Sequence, residues 1–147
     1  MKWYFNVIKN YVNFKGRARR KEYWMFFLVN YLINMALGIA ISSAVSQVLD
    51  FEALLAQDSA NVILDAIVAA YSTGVAGVIY KIASLYSLFI FLPSLAVLAR
   101  RLHDTGKSFA FILINIIPVI GWIIFFVALV TEGHSGDNKY GADPKIE

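Results

Sequence analysis

Three stretches of this chain carry no charged side chain: 27 residues from Tyr23 to Leu49, 18 from Ile82 to Ala99 and 23 from Ser108 to Val130. A helix rises ~1.5 Å per residue, so ~20 apolar residues cross a hydrocarbon core ~30 Å thick. The first and third runs exceed that length. The second reaches it if it begins near Val75, with the long Lys81 side chain carrying its ammonium to the interface. Composition argues against burying these helices in a soluble core. Apolar residues make up 59% of the chain and charged ones 16%, where soluble domains hold roughly half and a quarter. The surplus needs hydrocarbon as its solvent. A cleaved signal peptide does not account for the first run, which is about twice the usual ~7–15 residues and follows 22 others.

The 147 residues are enough for one membrane domain, 1–147. In chain order the pattern predicts an interfacial helix over 2–15, a first span over 24–49, an external connector over 50–74 and a second span over 75–99. A cytoplasmic loop over 100–107, a third span over 108–130 and an external tail over 131–147 complete it. The expected fold is an all-α integral membrane protein, with three transmembrane helices and an N-terminal interfacial amphipathic helix. Four spans are the alternative, but that fold needs a membrane turn within 60–80, where Asp65 and Lys81 make it costly.

Charge placement predicts the orientation. Residues 1–21 hold Lys2, Lys9, Lys15, Arg17, Arg19, Arg20 and Lys21 and no acidic residue. The 100–107 loop sets Arg100, Arg101 and Lys107 against Asp104. The connector carries Asp50, Glu52, Asp58 and Asp65, and the tail has four acidic residues against two lysines. Basic segments stay in the cytoplasm. The N-terminus and the 100–107 loop are therefore expected inside, the connector and the C-terminal tail outside.

Within 2–15, Lys2, Asn6, Lys9 and Asn13 share one helical face, and Tyr4, Val7, Ile8, Tyr11 and Phe14 cover the rest. Such a helix lies in the headgroup plane, and Gly16 ends it. Tyr23 and Trp24 form an aromatic belt at the entry of the first span. In the connector, Ile63, Ile67 and Ala70 repeat at helical spacing with Asp65 off the stripe, and Gly74 and Gly77 mark a bend. The Gly-, Asp- and Asn-rich tail predicts turns.

Little in the chain suggests reaction chemistry. The absence of cysteine excludes disulfides, thiolate metal sites and cysteine nucleophiles. Thr105–Ser108 spells TGKS, but the phosphate loop needs a glycine five positions before Gly106, and Arg101 stands there. His103 and Asp104 adjoin in sequence, so they do not face each other on a helix. The other histidine, His134, falls across the membrane in this topology, which removes a histidine-pair metal site. Asp137, Asn138 and Asp143 do not have the spacing of a twelve-residue calcium loop. No metal and no cofactor are expected.

Two sets of residues are candidates for binding or packing. Arg17, Arg19, Arg20, Lys21, Arg100, Arg101 and Lys107 collect at the inner headgroup level, where each attracts anionic lipid by ~1 kcal/mol. Nucleic acid is not an expected partner, because lipid phosphates would compete for a cluster that abuts a span. Within the bilayer, Asn30 and Asn34 share a face of the first span, and Asn115 lies at similar depth in the third. Pro93 and Pro118 each free a carbonyl one turn earlier and are expected helix kinks. These groups form a polar layer whose members must pair with each other or with enclosed water. Ala36, Ala40 and Ala44 recur every four residues and permit close helix approach, within the chain, in a homo-oligomer or against a membrane-protein partner.

Four ordered motifs carry a resemblance: FKGRARRKEYW (Phe14–Trp24), ARRLHDTGKS (Ala99–Ser108), IPVIGW (Ile117–Trp122) and GDNKYGADPK (Gly136–Lys145). Together they resemble domain-of-unknown-function family 805, small bacterial inner-membrane proteins, over nearly the whole chain. The resemblance implies a multi-pass protein of the bacterial cytoplasmic membrane and implies no reaction. The expected function is non-enzymatic, acting through anionic lipid headgroups or partner membrane proteins. An oligomeric transporter or channel component is the first alternative, lowered by the lack of an intramembrane charge. A lipid-modifying enzyme using His103 and Asp104 is the second.

Overall fold

The computed structural model describes residues 2–50, 52–53, 56 and 59–145. Asp58 of the connector and Glu147 of the tail, both counted in the charge pattern, lie outside the described residues. Among the described residues the chain is all-α, with no β-strand. The elements are α1 (Lys2–Lys9), α2 (Arg20–Ser46), α3 (Ala60–Ser72), α4 (Gly74–Asp104), a 3-10 helix (Phe109–Ile116) and α5 (Ile120–Val130). The chain divides into two compact units, Met1–Val29 with Ile90–Glu147, and Asn30–Phe89.

Among the described residues, two helices are long and apolar enough to cross a membrane. α2 has 27 residues and α4 has 31. In their most apolar stretches only 11% and 28% of residues are buried, whereas a core helix of a soluble protein hides most of its surface. Leu28, Leu32, Met35 and Ile39 on α2 and Ile82, Leu85 and Leu88 on α4 are exposed. These surfaces call for hydrocarbon around them.

α1 is shorter than the 2–15 helix that its amphipathic spacing predicts. The Asn10 amide donates to the Asn6 carbonyl at 2.9 Å, and the Asn13 side-chain oxygen accepts from the Lys15 N–H at 3.1 Å. Asparagine side chains of this kind compete with the helix ladder, and the chain leaves the helix after Lys9. On its apolar side Val7 is fully buried and Tyr4 stacks on Phe26 of α2, ring centres 5.3 Å apart.

In the unit Asn30–Phe89, α3 turns the predicted stripe inward. Ala70 is buried, Ile63 and Ile67 are half-buried, and Asp65 is exposed. Ala70 packs with Val45 and Ala76, and Ile41 and Ala44 close on them. The bend into α4 depends on glycine twice. Gly74 sits at φ +60°, and a Cβ on Gly77 would lie 2.6 Å from the Ser72 backbone.

The third apolar run is not a continuous helix. It breaks at Ile117–Val119 into the 8-residue 3-10 helix and the 11-residue α5. The two pieces fold back on each other. Phe111 and Phe125 stack with ring centres 6.5 Å apart, and Gly121 sits so close to the Ile114 carbonyl that a Cβ would collide with it. At ~2.0 Å and ~1.5 Å per residue, each arm reaches ~16 Å, about half a bilayer core. Pro118, expected as a kink, stands at a full reversal. The Ile120 N–H donates to the Pro118 carbonyl at 2.7 Å across Val119, which is held at φ 64° and ψ −65°. This is the rare γ-turn of positive φ. Pro93, the other expected kink, lies buried inside α4, which continues through it.

The tail also departs from expectation. The His134 N–H donates to the Asp104 carbonyl at 2.9 Å, and Gly106 lies against the His134 ring. The tail therefore sits at the same end as the 100–107 loop and the N-terminal segment, not across a membrane from them. The same contacts correct the placing of His134 opposite His103.

Candidate functional site

Asp104, the last residue of α4, is the centre of a buried ion cluster. One carboxylate oxygen accepts from Arg17 Nε at 3.0 Å and the other from Arg101 Nη1 at 2.5 Å. The three side chains are 5%, 1% and 0% exposed. Both arginines also donate to the backbone of the α5 end and the tail. Arg101 reaches the Leu129 carbonyl at 3.0 Å and the Thr131 carbonyl. Arg17 reaches the carbonyls of Gly136 at 2.6 Å and His134 at 2.5 Å. Gly133 leaves the room for this, since a Cβ there would collide with the Asp104 carboxylate. A buried charge is tolerated only when its hydrogen bonds are made, and the cluster meets that condition with tail carbonyls.

The tail is shaped by its own polar side chains. Asp143 accepts from the Gly136 and Lys145 N–H groups, both at 2.9 Å. Those donors hold its carboxyl below the ordinary carboxylate range, Lys145 having the larger effect. Asn138 donates to the His103 carbonyl at 3.0 Å, and Tyr140 lies flat on the His103 imidazole with ring centres 3.9 Å apart. Nδ1 of that imidazole is 3.2 Å from the Gly16 carbonyl. So His103 is turned to Gly16 and Tyr140, while both oxygens of Asp104 belong to arginines.

A second pair lies beside the cluster. Arg100 Nη1 donates to Glu22 at 2.8 Å, with side chains 5% and 6% exposed. Arg100 Nε and Nη2 are buried without a hydrogen-bond partner, an arrangement that costs ~1–3 kcal/mol or more for a charged group. Both residues border a cavity of about 680 Å³ between α1, the Lys15–Arg19 segment and the tail at Ala142 and Pro144.

The seven predicted basic residues thus separate into kinds. Arg17 and Arg101 are buried in the Asp104 cluster, and Arg100 is buried at the cavity edge. Arg19 lies over the Trp3 ring at 5.6 Å and also borders the cavity. Arg20 is exposed, 3.3 Å from Glu132. Lys21 is exposed, and Lys107 lies over the Phe111 ring at 5.4 Å. Of the polar residues, Asn30 accepts from the Tyr86 hydroxyl at 2.5 Å and Asn34 donates to the Asn30 carbonyl at 2.8 Å. Asn115 donates to Ile112 of its own 3-10 helix at 2.8 Å.

Sequence reasoning missed Glu22, Tyr86 and the tail's part in the cluster. Glu22 had a signal, as the one acidic residue before Asp50. Tyr86 had none, since a tyrosine in an apolar run reads equally well as packing.

Long lipid-facing helices with a basic, ion-paired end define a small membrane protein. The family model described as "Protein of unknown function (DUF805)" matches residues 11–142, and the chain belongs to that family. It is 41% identical to the inner membrane protein YhaI of Escherichia coli K12, over 99% of this chain and 98% of that one. It is 40% identical to the inner membrane protein YhaH of the same strain, over 100% and 99%. No solved structure matches it.

Proposed function

We propose that this is a non-enzymatic inner-membrane protein that holds anionic lipid headgroups with the basic end of its fold. In this reading α2 and α4 cross the bilayer, and the third apolar run enters as a re-entrant hairpin and returns. The N-terminus, the 100–107 loop and the tail then all face the cytoplasm. The observation that carries the reading is the distribution of charge. Every lysine and arginine except Lys81 belongs to the unit Met1–Val29 with Ile90–Glu147, and positive residues stay inside. The hairpin tip is compatible with lipid, because its N–H groups are largely met locally. Ile117 donates to Ile114, Gly121 to Ile117 and Ile120 to Pro118, and Pro118 has no N–H to satisfy.

Two measurements test it. A C-terminal green fluorescent fusion should fluoresce and a C-terminal alkaline phosphatase fusion should be inactive; the reverse pattern overturns the topology. Native mass spectrometry from mixed phosphatidylglycerol and phosphatidylcholine micelles should show preferential retention of the anionic lipid. Equal retention, unchanged by Arg20→Gln with Lys21→Gln, overturns the headgroup reading.

A further inference from the structure

We infer that the cavity between α1 and the Arg100–Glu22 pair is a discrete site for a phosphate-bearing anion. This rests on the headgroup reading above and goes beyond it, from a general basic surface to one pocket. The cavity holds about 680 Å³, room for a glycerophosphate headgroup and not merely for an ion. Its cationic lining residues are Lys2, Lys9, Lys15, Arg17, Arg19 and Arg100, and its one acidic residue among those described is Glu22. Glu22 is already paired with Arg100, and Arg17 with Asp104, so the excess positive charge rests on the three lysines.

The second observation is the state of Arg100. Its side chain is 5% exposed, it borders the cavity, and Nε and Nη2 have no hydrogen-bond partner. These two nitrogens form the edge of a guanidinium that matches two phosphate oxygens in parallel. A modest turn of the side chain toward the cavity would present that edge while Nη1 remains near Glu22. The rest of the wall suits a headgroup joined to a chain. Asn6, Asn10 and Asn13 offer amides, and Trp3 and Phe5 offer apolar surface. The polar face of α1 is therefore turned onto a pocket, where its lysines lie opposite an arginine with donors to give.

The test uses the full chain in detergent micelles, titrated with phosphatidylglycerol and with phosphatidylcholine and read by native mass spectrometry. One phosphatidylglycerol per chain should bind more tightly than any later one. Lys9→Gln should weaken that first lipid about fivefold, the factor for one cation near an anionic headgroup. Arg100→Gln should weaken it tenfold or more, and Lys139→Gln, outside the cavity, should leave it unchanged. Glu22→Gln with Arg100→Gln guards against misfolding of the single variant, because neither charge is then stranded. Inorganic phosphate at millimolar concentration is the other arm. Displacement of the lipid, with the same variant profile, assigns the site to free phosphate; lipid binding indifferent to phosphate assigns it to a headgroup. Wild-type affinity in Lys9→Gln and in the double variant would overturn the site. If Lys21→Gln with Lys107→Gln weakens the first lipid as much as Lys9→Gln does, the pocket is wrong and the basic-surface reading survives. If phosphatidylglycerol is never preferred, both fail.

Discussion

Replacing Asp104 by asparagine separates a buried ion cluster from a decorative one. The substitution keeps the side-chain shape and removes only the charge between Arg17 and Arg101. With side chains 1% and 0% exposed, neither guanidinium can turn to water. An amide in place of the carboxylate must also aim its N–H₂ at one of them. Stranding a buried charge by removing its partner costs ~3–5 kcal/mol. The lower end applies here, because the carbonyls of Leu129, Thr131, His134 and Gly136 still accept from the two arginines. For a chain of this size, ~2–4 °C per kcal/mol places the loss of melting temperature at roughly 6–12 °C. Tryptophan fluorescence on heating in detergent reads the global effect, and trypsin cleavage at Lys139 and Lys145 reads the release of the tail. Glu132→Gln is the control. Glu132 pairs with Lys145 and Arg20 in the open, where solvent takes most of the strength of an ion pair, so it should barely move either readout. A midpoint for Asp104→Asn within about 2 °C of wild type, with the tail still resistant to trypsin, would refute the claim that this cluster fastens the tail.

Gly121→Ala tests the hairpin: if the third run were one lipid-embedded helix, alanine would stabilise it by up to ~1 kcal/mol. Collision with the Ile114 carbonyl should instead destabilise it by ~1–3 kcal/mol, and a raised melting temperature would argue for the continuous span. Val119→Gly should be stabilising. It relieves ~1–3 kcal/mol of backbone strain against ~0.5–1 kcal/mol of added chain entropy, and a lower melting temperature would count against the γ-turn. The tail should also respond to acid in a defined window. The Asp143 carboxyl is held below its ordinary value of 3.8 by the Lys145 and Gly136 N–H groups, so its contribution is complete above that value and is lost as pH falls through the depressed one. Hydrogen exchange at the Gly136 amide should therefore show constant protection from neutral pH to about pH 4, and falling protection below. Asp143→Asn should abolish that fall, and a loosening centred near pH 6 would point to a histidine instead.

What the sequence made legible was the solvent. Charge-free runs report where hydrocarbon is needed, and α2 and α4 coincide with the first two. The stripe Ile63, Ile67 and Ala70 predicted the inner face of α3, because helical periodicity depends only on local geometry. The third run failed the same test for a physical reason. Hydropathy measures how much chain is apolar and is silent on whether it turns back, and reversal needs only Pro118, a strained Val119 and the absence of a side chain at Gly121. The ion cluster was half visible. Arg101 and Asp104 are three residues apart, a spacing at which side chains on one helix meet, and they do pair. Arg17, 87 residues away, is brought there by tertiary contacts that no local pattern encodes.

The misplaced tail has the same kind of cause. Its four acidic residues against two lysines suggested an outside segment, but orientation follows lysine and arginine and is nearly indifferent to aspartate and glutamate. Counted that way, the tail offers Lys139 and Lys145 and no reason to cross. Among its described acids, Glu132 has a partner outside the tail, and Asp143 is held within it. Glu132 lies 3.3 Å from Arg20 and 2.5 Å from Lys145, and Asp143 is occupied with backbone N–H groups. An acidic tail beside a basic surface therefore reads better as its counter-charge than as a segment exported from it. Folded onto Arg17, it also supplies Ala142 and Pro144 to the wall of the cavity that Arg100 borders. Whatever detaches the tail should then open that cavity as well, which makes the stability of the Asp104 cluster and the occupancy of the anion pocket two readings of one structural event.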